Sequence, residues 1–167
     1  MEIFKEMPTF SVAFSADVCL YIPSGPPRKQ EMDGLLESIS TLRKRRSKQV
    51  ALFLVVPVDA ASPQGADYAV AKAGFQALVD ELVVSSWVME GSGFMAAAKR
   101  GLTAFLTSSL LGRVPTKVFG EVSEGAGWLA TQSKQHPFAC PPVLELSESV
   151  KELNSRMRFR QGRSKDA

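Results

Sequence analysis

Two apolar runs constrain the fold of this chain more than any other feature: Val50–Val58 and Leu82–Met89. Both are rich in β-branched residues and lack the alternation of a strand with one wet face, so we predict strands that are covered on both faces. Between the runs, Tyr68, Ala71 and Phe75 recur at the three- and four-residue spacing of a helix. A buried strand, a helix and a second buried strand predict parallel pairing at the centre of a sheet that carries helices.

The flanking segments complete the predicted fold. Thr9–Phe14 alternates polar and apolar residues and Val18–Ile22 follows after a short turn, which predicts an antiparallel hairpin. Helices are predicted at about 29–46 and 94–111 and a short strand at Pro115–Phe119. The predicted fold class is α/β, with a mixed, mostly parallel sheet, an antiparallel N-terminal hairpin, helices on the faces of the sheet and an added C-terminal helix.

The predicted domain boundaries follow composition. A chain of 167 residues is long enough for one full hydrophobic core, which we assign to residues 1–133. The stretch 134–145 contains three prolines and is predicted to be a linker. Residues 146–167 are predicted to form a C-terminal helix and a basic tail.

The predicted C-terminal helix carries a narrow apolar stripe. Its members recur four, three and four residues apart and are Leu146, Val150, Leu153 and Met157. A stripe of this kind beyond a complete fold must be covered by another surface. We predict that it binds a partner protein or a second copy of the chain, and docking on the chain's own sheet or helices is an equal alternative.

Charge is concentrated in two places. The formal net charge is +3, but the segment from Lys151 onward holds six basic and two acidic residues, which leaves 14 basic and 15 acidic residues before it. We therefore expect no nucleic-acid partner. The other place is the run Arg43, Lys44, Arg45 and Arg46 at the end of the first predicted helix. Cations there complement the helix dipole, and they are also candidate contacts for an acidic protein or, less favoured, an anionic membrane surface.

Residue types that carry chemistry are few. With two cysteines and the single histidine His136, we expect neither a disulfide framework nor a transition-metal site. The acidic N-terminus and the lack of a long apolar run predict a cytoplasmic protein without a signal peptide or membrane span. We predict no catalytic residues and no cofactor.

A glycine-rich corner is the strongest sign of an enzyme. Residues 91–96 match G-x-G-x-x-A, a dinucleotide-binding pattern, between a predicted strand and a predicted helix. That pattern normally has a carboxylate about 20 residues on, for the ribose hydroxyl, whereas the next acid here is Glu121. We predict instead that Gly91 and Gly93 allow a sharp turn and that Phe94 enters the core.

Four stretches give the chain a family resemblance: Val50–Asp59, Val88–Phe94, Lys117–Phe119 and Ala126–Leu129. On these residues, the span from about Phe10 to Leu129 resembles STAS-like domains, the family of the anti-sigma-factor antagonists, and especially the bacterial STAS-like proteins of uncharacterised function. The resemblance implies a mixed sheet flanked by helices. It also implies protein–protein interaction without catalysis.

The resemblance also directs attention to one serine. Members of the family that act as switches carry Asp-Ser-Ser/Thr-Gly at the end of a strand, with a phosphorylatable residue at the start of the next helix. This chain reads DAASP from Asp59, so alanine stands at the acceptor position and Ser62 comes one residue later. Ser62 is therefore a candidate modification site near positive helix amides.

These observations favour a non-enzymatic protein–protein interaction module, a scaffold or regulator in bacterial signalling that binds another protein or further copies of itself. One alternative is a protein that binds an apolar ligand or an anionic membrane surface, motivated by Trp87, Phe94 and Phe105 together with the basic run. A second alternative is a nucleotide-binding enzyme that uses the turn at Gly91–Gly93.

Overall fold

The computed structural model of the protein describes residues 1–46, 49–61 and 65–163. The strands are β1 (Glu2–Met7), β2 (Phe10–Ser15), β3 (Val18–Pro23), β4 (Val50–Val56), β5 (Leu82–Met89) and β6 (Thr116–Phe119). The helices are α1 (Lys29–Arg46), α2 (Asp67–Ala77), α3 (Phe94–Leu111), α4 (Val122–Gln132) and α5 (Val143–Arg163). None of these helices is both long and apolar enough to cross a membrane.

The six strands lie side by side in chain order. β1, β2 and β3 are antiparallel, and β3 to β6 are parallel. Right-handed crossovers that always step in the same direction leave their helices on one face of the sheet. Accordingly α1, α2 and α3 contribute to one core cluster and α4 and α5 to the other. The predicted α/β fold class is confirmed, with β1 as an additional edge strand.

β4 demonstrates why the continuous apolar runs were informative. Leu52 and Leu54 pack on the α1 side of the sheet, whereas Ala51, Phe53 and Val55 pack on the α5 side. Side chains alternate between faces along a strand, so a strand covered on both faces needs apolar residues at every position. β1 was not predicted because its charged residues interrupt such a pattern, and it is only partly buried.

The α4 helix lies very close to the sheet. A Cβ on Gly125 would come within 2.7 Å of a methyl group of Val88 and 2.9 Å of the Phe53 ring. The hydroxyl of Ser86 also donates a hydrogen bond to the Gly125 carbonyl at 3.2 Å. Gly125 therefore sets the distance between α4 and β5, because no larger residue fits there without a shift in the packing.

The α5 stripe is part of the hydrophobic core, so of the two predicted arrangements the structure has the one in which the stripe docks on the chain's own sheet and helices. Leu146, Val150, Leu153 and Met157 are all buried against the sheet and α4. Since α1, α2 and α3 occupy the opposite face, α5 covers apolar side chains of β2 and β3 that would otherwise meet water, and α4 covers those of β4 and β5. The helix therefore completes the core on this face of the sheet.

The proline-rich stretch 134–145 is likewise anchored to the body of the protein. Phe138 is buried, and the backbone N–H of Ala139 donates to the Asp17 carboxylate at 2.6 Å. In return, the Asp17 N–H donates to the Ala139 carbonyl at 3.1 Å. Prolines precede α5 in this stretch, and these contacts hold the chain against the β2–β3 turn.

Candidate functional site

An apolar cavity opens at the carboxyl ends of the central strands, on the α1–α3 face. Its floor is a row of side chains in register across three strands: Tyr21 pairs with Leu54, and Leu54 with Trp87. Two residues further along each strand, Pro23, Val56 and Met89 continue the same surface. Ligands in parallel α/β sheets commonly bind at this end of the strands.

Two helices form the rest of the wall. α2 contributes Ala71 and Phe75, and α3 contributes Leu102, Thr103 and Thr107. The Phe75 ring packs on Trp87 with 4.7 Å between ring centroids. The cavity measures about 180 Å³, which compares with the roughly 150 Å³ of an engineered apolar cavity that stays dry and binds benzene. The space therefore suits a small apolar molecule.

The polar groups of the wall differ in whether they have partners. The indole N–H of Trp87 donates to the Ser85 hydroxyl at 2.7 Å, the Thr103 hydroxyl to the Met89 sulfur at 3.0 Å, and the Thr107 hydroxyl to the Ala104 carbonyl at 3.1 Å. The Tyr21 hydroxyl, by contrast, is buried without a hydrogen-bond partner. Buried polar groups are nearly always paired, so this hydroxyl is an exception among the residues of the wall, and almost none of its surface is accessible from the open space of the cavity.

The cavity exists because the first turns of α3 do not pack on the sheet. Phe94, which the sequence predicted in the core, is 84% exposed, and Met95 is 68% exposed. Nearer the end of the helix, Thr107 and Leu111 are buried and make the contact with the core. The helix is therefore held at its C-terminal half, and the space beneath its middle is left open.

The glycine corner sets the direction in which α3 leaves the sheet. Gly91 has φ +129° and Gly93 has φ +86°, values that residues with a side chain rarely adopt. The prediction that these glycines serve backbone geometry is confirmed. The Arg100 guanidinium donates a hydrogen bond to the Gly91 carbonyl at 3.0 Å, which ties the first turns of the helix to the corner.

The basic run at the end of α1 is largely paired within the chain. Arg43 lies 2.9 Å from Glu81, Arg45 lies 2.7 Å from Glu2, and Arg46 lies 3.4 Å from Asp17. Lys44 is exposed. These pairs satisfy most of the charge that made the run a candidate contact for a partner.

Two predicted features lie outside the described part of the chain. Ser62, the candidate modification site, is one, and the side chain of Phe105 is the other. Neither therefore enters the description of the cavity.

The described residues contain no cluster of three or more histidine, cysteine, aspartate or glutamate side chains able to hold a metal ion. Burial raises the pKa of the Cys140 thiol to about 11, and it raises the pKa of the fully buried Cys19 thiol still further. Both thiols are therefore protonated at neutral pH, and the thiolate is the nucleophilic form.

The sequence pointed to Trp87 but not to the cavity or to the rest of its floor. A signal was present in β3, where Tyr21 is the one residue with a hydroxyl in an otherwise apolar strand, VCLYIP. Its position could not be judged without the pairing of β3 with β4, since register places Tyr21 beside Leu54 and Trp87.

Comparison with protein families, with curated proteins and with solved structures finds no match to this chain. The resemblance to STAS-like domains therefore stays a prediction made from the sequence.

Proposed function

We propose that this protein binds a small apolar molecule in the cavity beneath α3 and acts by binding alone. The supporting observation is a cavity of about 180 Å³ whose wall consists mainly of aromatic and aliphatic side chains. A ligand of matching shape binds because it removes this apolar wall and its own apolar surface from water, at roughly 25 cal/mol per Å².

The proposal is tested by titrating ethylbenzene while recording tryptophan fluorescence. The chain has two tryptophans, and Trp128 packs on Phe119 on the other side of the sheet. In a Trp128→Phe background, the signal comes from Trp87 in the cavity floor. We expect a saturable change in emission and a higher melting temperature, because a ligand that binds only the folded state stabilises it.

A matched pair of variants on α2 locates the binding. Ala71 lines the cavity, whereas Ala73 is exposed on the same helix. Ala71→Phe fills the cavity and should abolish the fluorescence change, and Ala73→Phe should leave it intact. Equal binding by both variants, or no saturable binding by the parent protein, contradicts the proposal.

A second candidate function is attachment to an anionic membrane surface through α3. Among the described residues, eight large apolar side chains are exposed, and five of them lie on α3, on α2 or just after β4: Val58, Tyr68, Phe94, Met95 and Leu102. The segment 91–120 contains four basic residues and no acid. Exposed apolar side chains among bases suit a membrane, where each Lys or Arg near an anionic surface contributes about 1 kcal/mol.

Flotation with phosphatidylcholine vesicles, with and without phosphatidylserine, tests this second candidate. We expect binding only with phosphatidylserine, loss of binding in Phe94→Ser, and unchanged binding in Leu144→Ser, an exposed apolar residue on α5. Absence of flotation at low salt, together with a doubled molar mass in solution, would instead assign this surface to a second copy of the chain.

That the protein is a protein–protein interaction module stays a prediction, and the two surfaces that suggested it are engaged within the chain. The α5 stripe that motivated it is occupied by the chain's own sheet, and three of the four members of the basic run pair with its own acids. Among the described residues, the exposed apolar side chains of α3 are one surface that a protein partner could contact.

A further inference from the structure

Lys99 belongs to the face of α3 that lines the cavity. Leu102, Thr103 and Thr107 follow it three, four and eight residues later, and all four residues line the cavity, as the spacing of one helix face requires. Lys99 is the one charged residue that the described wall contains. The only charge on the wall is therefore positive.

Lys99 stands where the cavity opens to solvent. Thr107 is buried, whereas Leu102 is 55% exposed and Lys99 is exposed. Tyr68 of α2 lines the cavity as well and is 46% exposed. Tyr68, Lys99 and Leu102 thus form the mouth of the cavity, in which a cation lies beside apolar side chains.

The charge of Lys99 is not used within the described part of the chain. Its ammonium has no ion pair or hydrogen bond among the described residues. The segment 91–120 around it contains four basic residues and no acid. An anionic group at the mouth would therefore meet no competing carboxylate from this segment.

We infer that the ligand is an amphiphile whose hydrocarbon chain fills the cavity and whose single carboxylate pairs with Lys99 at the mouth. This inference rests on the proposed ligand-binding function and names the class of ligand, of which a fatty acid is the simplest member. One lysine balances one carboxylate, whereas a phosphate monoester carries close to two negative charges.

The carboxylate belongs at the mouth because the interior of the cavity offers it no partner. Three polar groups of the wall, on Trp87, Thr103 and Thr107, already donate hydrogen bonds within the chain. An ionised group that is buried without a partner is strongly unfavourable. At the mouth the carboxylate keeps its contact with water, and the flexible stem of a lysine carries the ammonium to it.

Octanoate and 1-octanol test the inference, because they share a chain and differ in the charge of the head group. Their dissociation constants are measured at neutral pH, where octanoate is ionised, from Trp87 fluorescence in the Trp128→Phe background. Lys99→Met keeps a long unbranched side chain and removes the charge. We expect the affinity for octanoate relative to octanol to fall by about 1.5- to 5-fold, the range of an exposed ion pair. High salt should reduce this difference.

Lys117→Met is the matched control. Lys117 is exposed in the same basic segment, but it lies over the Phe119 ring on β6 and is not part of the cavity wall. The variant removes the same charge from the protein, so the ratio of the two affinities should be unchanged. Ala71→Phe, which fills the cavity, should abolish the binding of both compounds.

The outcomes separate this inference from the proposed function. If octanoate does not bind although ethylbenzene does, or if Lys99→Met leaves the ratio as it was, the carboxylate inference is wrong and the proposed function stands. An equal fall in Lys117→Met would assign the effect to net charge and would also contradict the inference. If none of the three compounds binds the parent protein, the proposed function fails, and the inference fails with it.

Discussion

The helices α3 and α5 are of similar length, but they relate to the core in opposite ways. α3 has two charged residues among 18 and α5 has eight among 21, yet α5 is the better buried helix. Leu146 and Leu153 of α5 are fully buried, whereas Phe94 and Met95 of α3 lie in solvent. Apolar content alone therefore does not decide which helix joins the core.

The difference in burial between α3 and α5 has two causes: the spacing of their apolar residues, and the point at which α3 leaves the sheet. The charged residues of α5 leave one narrow apolar stripe, so a single rotation of the helix buries it. α3 has small and apolar residues around much of its circumference, and the glycine corner fixes where it starts. Both faces of the sheet carry a core cluster, but only the α1–α3 face has the cavity and the exposed apolar side chains of α3.

The largest expected effect comes from truncating matched leucines. Leu153→Ala on α5 should lower the free energy of unfolding by about 2–5 kcal/mol, because it leaves a void in a closed core. Leu102→Ala on α3, where the side chain is 55% exposed, should change it by less than about 0.5 kcal/mol. Urea denaturation measures both values. Similar losses would mean that the two helices are equally important for stability.

Two glycines on α4 test how closely this helix packs on the sheet. Gly125→Ala should destabilise the protein by about 1–3 kcal/mol, because the new methyl group overlaps Val88 and Phe53. Nothing lies within 4 Å of a Cβ on Gly127, so Gly127→Ala should stabilise the helix by about 0.5–1 kcal/mol. Thermal and urea unfolding distinguish the two signs. If both changes destabilise the protein, the loss of stability in Gly125→Ala comes from an effect on α4 as a helix and not from its close approach to the sheet.

On the cavity side, we expect one substitution to stabilise the protein. Tyr21→Phe removes a buried hydroxyl without a partner and should raise the free energy of unfolding of the ligand-free protein by about 1 kcal/mol. Tyr68→Phe, at the exposed rim, should change it by less than about 0.5 kcal/mol. A loss of stability in Tyr21→Phe would show that the hydroxyl supports the fold.

The smallest effect is expected where α3 is most exposed. Phe94→Ser should change the free energy of unfolding by less than about 0.5 kcal/mol, because the ring is already in solvent. Since the same substitution is expected to abolish flotation with anionic vesicles, it separates binding from stability. A large loss of stability would mean that Phe94 packs in the folded protein after all.

Local patterns determined most of the secondary structure. The continuous run at β4, the alternation at β2 and the helical spacing in α1 are properties of short segments, and the structure has an element at each place. The turn at Gly91 and Gly93 could also be predicted, since a positive φ is a local requirement. The charged strand β1 could not be predicted, because its place in the sheet depends on pairing with β2.

The tertiary structure alone decided which apolar residues are buried and where the cavity lies. By their helical spacing alone, the α5 stripe and the apolar residues of α3 are both expected to be buried. Only the order of the strands shows that one face of the sheet is left uncovered by α1, α2 and α3 and is free for α5. The cavity likewise depends on strand register, which brings together Tyr21, Leu54 and Trp87 from distant parts of the chain. Burial and register are long-range properties, because they depend on which surfaces meet, whereas periodicity depends only on neighbours in the sequence.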